Sequence, residues 1–296
     1  MGRCACCRVR GARGCKGRKL RAMRLIDTHT HIYGEEFDGD RSEVLLRAEE
    51  AGVEAFVLPA IDGESNERVF ALSRALPHAY PFIGLHPTSV NDNPRWREEL
   101  AEVERLLRAC NGGESVASVG TAERPVEHFY GVGEVGLDFY WSNDFREEQT
   151  ECFRRQVELS IEFDLPLIIH TRSAWDEMLT LLEEYKGRAR GVLHAFGEGV
   201  EVYERIKALG GFGVGIGGVS TYKKSPLAES IPHIDLGDIV LETDSPYLTP
   251  VPFRGRRNEP AYVVYVCNRI AELKGLSAEE VAEQTTLNAR RLLGLQ

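Results

Sequence analysis

Residues 24–31 read RLIDTHTH: a few apolar residues, then an acid and two imidazoles at alternate positions. A run this short, with this composition, is a strand over 24–30 whose polar end stands at its carboxyl terminus. The same grammar recurs along the chain. Seven further β-branched or apolar runs lie at 53–59 (VEAFVLP), 80–85, 129–135 (FYGVGEV), 166–170 (PLIIH), 191–195 (GVLHA), 211–216 (GFGVGI) and 238–243 (DIVLET). Between them, segments of helical period fall at 41–51, 64–76, 95–109, 146–163, 173–186 and 199–209, with a weaker one near 225–231. Eight strand–helix units over about 270 residues have the length and rhythm of one closed α/β (β/α)8 TIM barrel. A doubly wound open sheet is the competing arrangement.

The rhythm breaks at 110–128 (CNGGESVASVGTAERPVEH), which is long, polar and Gly-rich where a short link belongs and is expected to be a surface insertion. After the last strand, 259–274 and 277–293 have helical period and are expected to cap the barrel's outer wall. Ser277 and Glu280 carry capping-box spacing at the start of the second. Two stretches match G-x-G-x-x-G, at Gly131, Gly133, Gly136 and at Gly213, Gly215, Gly218. A dinucleotide site needs these glycines in the turn between a strand and its helix. The first set sits within a strand and runs on into LDFY, and the second leads into a Thr/Lys/Pro loop, so neither reads as a nucleotide fingerprint.

The chain has 296 residues, 43% hydrophobic and 28% charged, which supports a large core and excludes disordered and fibrous classes. No apolar stretch approaches the ~20 residues of a bilayer span. The basic head lacks the apolar block of a secretory signal, so a cytoplasmic protein with no membrane partner is expected. Eight of the 36 basic side chains and none of the 46 acidic ones lie in residues 1–22, so the formal net charge of −10 hides a body at −18. Such a body binds a polyanion only where Arg, Lys or metal ions help locally. Cysteines are split likewise, with Cys4, Cys6, Cys7 and Cys15 in the head and Cys110, Cys152 and Cys267 elsewhere. An odd total at irregular spacing is no disulfide framework, and the head misses the paired spacing of zinc sites. Residues 1–22 are expected to be a disordered basic tail, upstream of a start at Met23, ahead of a single domain over 23–296. The Arg content is that of a transit peptide, but the Ser and amphipathic residues of one are missing.

In a barrel of this type the active site stands at the carboxyl ends of the strands, and that is where polar residues collect. Period-two spacing turns His29 and His31 to the same side, about 7 Å apart along the strand. Four more strands end in the same manner, with Glu134 and Asp138, His170 and Arg172, His194, and Glu242 and Asp244. After a buried apolar run, each such side chain is costly unless it is paired or binds a metal. His78, His128 and His233 fall in loops or helix ends and read as surface residues. Imidazole with carboxylate suits zinc, manganese or magnesium, and the absence of Cys argues against a structural thiolate zinc site. Four histidines and two carboxylates are too many for one tetrahedral ion and enough for two, roughly 3.5–4 Å apart with a bridging carboxylate. The reaction class is metal-assisted hydrolysis.

The motifs resemble those of the TatD-type metal-dependent deoxyribonucleases, a branch of the amidohydrolase-like barrel hydrolases. The resemblance runs from Met23 to the C-terminus through IDTHTH (26–31), GLHP (84–87), GEVGLDFY (133–140), IIHTR (168–172), ETDSPYL (242–248) and RRNEP (256–260). It implies one ion on His29, His31 and Asp244, a second on His170 and His194, and Glu134 bridging. Asp244 and Glu134 are then the catalytic carboxylates, with Asp244 accepting the proton of the attacking water. A glutamate on strand four, in place of the carboxylated lysine of lactonase and phosphotriesterase relatives, favours this branch. His86 is not needed by either ion and is expected to touch substrate or leaving group, the alternative being a histidine held beside Pro87. Arg172 is expected to reach a non-bridging phosphate oxygen. Arg257 and Asn258 are expected to contact phosphate or backbone, the alternative being an ion pair with Glu259.

The implied activity is 3′-5′ exonuclease cleavage of single-stranded DNA by a monomer holding two divalent ions. Magnesium or manganese comes first because a nuclease needs labile, hard ions, with zinc open because four imidazoles bind it more tightly. Two departures fall on the substrate side: GLHPTS lacks a second histidine after the proline, and LHAFGEG replaces a His-Cys-Phe-Ser-Gly run. They keep a second activity open, hydrolysis of an ester, lactone or amide such as the bond of a D-aminoacyl-tRNA. A third reading is a metal-loaded scaffold without turnover.

Overall fold

The computed structural model describes residues 23–112 and 128–296. The basic head and residues 113–127 of the expected insertion lie outside the described residues. Eight parallel strands follow one another in chain order around a single sheet: β1 (Leu25–Asp27), β2 (Val53–Pro59), β3 (Ala79–Ile83), β4 (Gly131–Asp138), β5 (Leu167–Arg172), β6 (Gly191–Leu193), β7 (Phe212–Ile216) and β8 (Ile239–Leu241). The seam between β8 and β1 is closed by backbone bonds. Thr28 donates both its N–H and its hydroxyl to the Leu241 carbonyl at 3.0 Å, and His31 donates its N–H to the Ser245 carbonyl at 2.8 Å. The expected closed barrel is therefore the observed one, and the open sheet is not.

Among the described residues ten helices follow in order: α1 (Arg41–Glu50), α2 (Gly63–Ala75), α3 (Pro87–Val90), α4 (Trp96–Asn111), α5 (Arg146–Glu162), α6 (Trp175–Glu183), α7 (Val200–Leu209), α8 (Leu227–Ser230), α9 (Val263–Lys274) and α10 (Ala278–Leu293). Each expected helical segment is present. The short α3 was not expected; Pro87 opens it with its φ already helical. The segment at 259–274 divides into a 3-10 turn over Pro260–Tyr262 and α9. Strand β1 stops at Asp27 instead of running on to residue 30, and β4 continues to Asp138, paired with β5 as far as Asp138 opposite Arg172. No helix among the described residues is long and apolar enough to cross a membrane.

The core has two layers because parallel strands are covered on both faces. Ile26, Val57, Phe82, Ile168, Val192 and Val240 fill the barrel interior. A larger shell, which includes Leu58, Val69, Phe153, Met178 and Ile206, packs between the strands and the helices. The C-terminal helix corrects one expectation. Leu292, Leu293 and Leu295, at and just beyond the end of α10, join the interior cluster, so this helix plugs the amino-terminal mouth of the barrel rather than covering its outer wall alone. The capping box holds its start: Ser277 Oγ accepts the Glu280 N–H at 3.2 Å and the Glu280 carboxylate accepts the Ser277 N–H at 2.9 Å. With one end plugged, the strands present an open face only at their carboxyl ends.

Candidate metal centre

Five strands deliver ionisable side chains to that face. His29 and His31 follow β1, Glu134 and Asp138 stand on β4, His170 on β5, His194 just beyond β6, and Asp244 three residues past the end of β8. Close strand contact aligns them. Gly136 pairs with His170 in the β4–β5 ladder, and a Cβ at Gly136 would stand 1.9 Å from the His170 carbonyl oxygen, at a φ of +151°. Gly215 plays a similar part on β7, where a Cβ would meet the Glu242 carboxylate at 1.9 Å. These glycines serve close packing around the site, which accounts for the two glycine motifs without a nucleotide.

Glu134 is the hub. Its Oε2 lies 3.2 Å from His29 Nε2 and 3.5 Å from His31 Nε2. Its Oε1 lies 2.8 Å from His194 Nε2, 3.1 Å from His170 Nδ1 and 3.3 Å from His86 Nε2. Asp244 Oδ1 closes the first set at 3.5 Å from His31 Nε2 and 3.7 Å from His29 Nε2. One carboxylate thus divides its two oxygens between two groups of imidazoles. All six residues expected as ligands meet, and His86 joins Glu134 and His170 in a third group with donor atoms within 4.8 Å of one another.

The electrostatics follow from burial. It pulls His29 down to about 4, because its charge is cut off from water and His194 stacks on it at 3.9 Å. Burial also opposes the charge of His194, but Glu134, then Glu242 and Asp244, outweigh it and hold that imidazole up at about 9. Glu134 and Asp244 are themselves pushed up by burial and brought back below the ordinary carboxylate range by the surrounding histidines. Six convergent donors with no Lys or Arg among them fit divalent cations. The Nε2 atoms of His29 and His31 face each other at 3.1 Å beside two carboxylates, an arrangement in which lone pairs converge on a common point.

Further groups orient the ligands. Asp138 Oδ2 is 3.0 Å from His170 Nε2, and Glu242 Oε1 is 3.8 Å from His194 Nδ1 and accepts the Ala195 N–H at 2.6 Å. Burial raises Glu242 to about 7. Tyr33 sits 2.7 Å from His31 Nδ1 and donates its hydroxyl to the Pro59 carbonyl at 2.7 Å. Buried Asp27 accepts the Thr243 N–H at 2.9 Å and its hydroxyl at 2.6 Å, tying β1 to the segment that carries Asp244. The sequence placed Asp138 and Glu242 among the polar strand ends without saying which ligand each would orient, and gave Tyr33 and Asp27 no role. Tyr33 continues the period-two series of His29 and His31 and was legible on that ground. The partners of Asp27 and Glu242 were not.

The site opens into a cavity of about 740 Å³ that reaches His31, His86, Glu134, Arg172, Asp244 and Trp141. Of the four expected substrate contacts, the structure brings His86 and Arg172 to it. His86 Nδ1 is tied to Thr88 Oγ1 at 2.7 Å, leaving Nε2 toward Glu134. Arg257 and Asn258 are elsewhere. Arg257 donates to Asp40 at 2.6 Å and to the Glu36 carbonyl, and lies over the Phe37 ring. The expected alternative partner, Glu259, is taken by Arg47 at 2.6 and 2.9 Å. Asn258 is fully buried and spends its amide on the Thr243 and Tyr247 carbonyls at 2.7 and 2.6 Å. It holds the Asp244 segment, and its amide hydrogens have no reach left for substrate.

Fold and site together define a metal-dependent hydrolase built on a (β/α)8 barrel. Residues 26–294 match the family model described as TatD related DNase, and the chain belongs to the TatD family. It is 37% identical over 271 residues to the uncharacterized metal-dependent hydrolase YabD of Bacillus subtilis, spanning 90% of this chain and 98% of that protein. It is 31% identical over 279 residues to the 3′-5′ ssDNA/RNA exonuclease TatD of Erwinia tasmaniensis, spanning 92% and 100%. The crystal structure of YjjV, a TatD homolog from Escherichia coli K12, matches with a TM-score of 0.81 at 30% identity over 93% of this chain and 100% of that one.

Proposed function

We propose that this protein is a deoxyribonuclease that removes nucleotides from the 3′ end of single-stranded DNA with two divalent ions, magnesium or manganese before zinc. The observation that carries this reading is the division of Glu134 between two imidazole sets beside an open cavity with Arg172 at its edge. The Erwinia relative's exonuclease activity supports the choice of substrate.

His29, His31 and Asp244 would hold one ion, His170 and His194 the other, with Glu134 between them. Such a pair lowers the pKa of water and neutralises charge on the oxygens of an in-line displacement at phosphorus. Asp244, ionised at neutral pH and on the cavity wall, accepts the proton of the attacking water. Its φ of +54° is unusual for a residue with a side chain, and the Asn258 bonds on either side hold it in that conformation. His86 Nε2, facing Glu134 on the cavity wall, would contact the leaving group, and Arg172 would offer a planar fork to a non-bridging phosphate oxygen.

The test is hydrolysis of end-labelled single strands by protein purified without chelators, with either the 3′ or the 5′ end blocked. Loss of activity with the 3′ block alone, and in chelator, is the expected result, as is a drop of 100-fold or more for Glu134→Ala and Asp244→Asn. Unchanged DNA cleavage by those two variants would remove the assignment. Hydrolysis of a misacylated tRNA, with DNA left intact, would move the site to ester substrates.

A further inference from the structure

Only three large aromatic side chains are exposed among the described residues: Tyr140 at 56%, Trp141 at 67% and Tyr247 at 57%. Two of them stand at the rim of the metal-site cavity, and Tyr140 packs against Trp141 and Arg172 beside it. Tyr140 and Trp141 follow β4 and Tyr247 follows β8, which lie across the barrel from each other in an eight-strand ring. Trp141 and Tyr247 line the cavity. The Tyr247 ring stands 6.2 Å from that of His31, so a group resting on it is next to the metal centre. On the other rim, the Arg172 guanidinium lies 3.7 Å over the Tyr140 ring and 5.3 Å from that of Trp141, and the two aromatic rings meet edge to face at 5.0 Å. Exposed apolar surface gathered in one place marks a contact site.

The charge around this rim narrows the choice of partner. Most Arg side chains of the described residues are neutralised by a carboxylate. Arg172 has no carboxylate of the described residues within ion-pair distance, nor do Lys223, Lys224, Arg254 and Arg256 on the loops after β7 and β8, where the Arg254 guanidinium lies 4.1 Å over the Tyr222 ring; the same holds of Arg74, Arg188 and Arg291 elsewhere on the protein. Those two loops are fastened together by the Tyr222 hydroxyl on the Thr249 carbonyl at 3.0 Å and by the Thr221 hydroxyl on the Val251 N–H at 2.9 Å. These two loops thus carry cations without a carboxylate partner on the side of the barrel where Tyr247 stands.

We propose that the cavity mouth is a single-strand clamp, in which Trp141 and Tyr247 stack nucleobases from opposite rims while Arg172 and the basic β7 and β8 loops take the flanking phosphates. This rests on the nuclease reading and adds to it the part of the substrate that is held. Stacking is tolerant of base identity because every base has a π-face. It excludes duplex, in which those faces are already covered. An aromatic rim with unpaired cations thus selects single strands without reading sequence.

The experiment measures anisotropy of a fluorescein-labelled thymidylate 12-mer protected by 3′ phosphorothioates, against an abasic 12-mer and a duplex of the same length. Wild-type protein should prefer the thymidylate strand over both partners by about tenfold or more. Trp141→Ala and Tyr247→Ala should each weaken thymidylate binding about 5- to 100-fold and erase the preference over the abasic strand. Trp141→Phe should stay within about threefold of wild type, and the oligonucleotide should quench tryptophan emission in wild type and not in Trp141→Phe. Thermal midpoints check that each variant is folded. Variants that bind all three probes as wild type does, in a protein that degrades single strands, remove the clamp and leave the nuclease. Equal affinity of the wild type for thymidylate and abasic strands also removes the clamp. A wild-type protein that neither binds nor degrades single strands removes both.

Discussion

Asp138 touches no other expected ligand and yet governs how His170 can be used. Its carboxylate is 3.0 Å from His170 Nε2, which fixes the tautomer and turns Nδ1 toward Glu134. Asp138→Ala should therefore weaken metal affinity about 10- to 100-fold in a competition titration against a chromogenic chelator. An unchanged affinity would mean that strand packing alone orients the ring. A proton signature belongs at the same scale. His194 is held near 9, so at pH 7 its imidazole carries a proton unless a cation competes for that lone pair. Metal uptake by chelator-treated protein should release protons, seen in calorimetry as a heat that changes with the ionisation enthalpy of the buffer. Heats that agree in every buffer would contradict the assignment of His194 as a ligand. The buried thiols lie at the opposite extreme. Burial pushes Cys152 and Cys267 up to about 12, so neither is a thiolate at neutral pH, and neither has a place in the chemistry.

Among the elements, the segment after β8 carries the most consequence for its length. It places Asp244, returns Ser245 to pair with Thr30 of the β1 side, and is pinned by Asn258 from 11 and 15 residues away in sequence. Asn258→Ala deletes two buried donors and leaves two carbonyls without partners, a loss of roughly 2–4 kcal/mol in urea unfolding of metal-loaded protein. Activity should fall further than stability accounts for, because Asp244 loses its support. If the variant keeps full activity in its folded state, the segment is held by its backbone bonds alone. At the other end of the barrel, Leu292 of α10 reaches the interior beside Gly213, where a Cβ would stand 2.5 Å from Leu292 Cδ1. Leu292→Ala should cost about 2–5 kcal/mol through the cavity it leaves, with metal affinity unchanged because the site is at the opposite face. A coupled loss of metal would show that the plug and the site communicate through the strands.

Over the whole molecule, the metal centre is a cross-link. Its six donors stand on or just after β1, β4, β5, β6 and β8, so ions bound there would join two groups of paired strands, β8–β1 and β4–β6, from opposite sides of the ring. Chelation should lower the thermal midpoint in a manner that depends on free metal concentration, by about 2.7 kcal/mol of stability between none and a hundredfold excess over Kd. A midpoint indifferent to chelator would mean that the sheet holds its closed form without help from the site.

The strand and helix order and the barrel were legible in residues 23–296 because each depends on local rules; the same rules named the polar strand ends, and the choice of six ligands among them came from the family resemblance. Period two puts His29 and His31 on one side, apolar runs set the strands, and polar residues that follow buried strands have few places to go. The β1 and β4 boundaries were less legible, since hydrogen bonds to neighbouring strands set where pairing stops. Tertiary structure alone decided what Arg257 and Asn258 do. The partners of Arg257 at Asp40 and of Asn258 at Thr243 lie on other elements, 217 and 15 residues away, and neither spacing nor residue type announces them. It also decided at what distances Glu134, the bridge that the resemblance implied, divides its oxygens between two histidine sets, and that the exposed aromatics gather at one rim. Convergence of side chains from different strands is a property of the closed sheet, whose curvature brings distant residues within a few ångströms, and no linear pattern contains it.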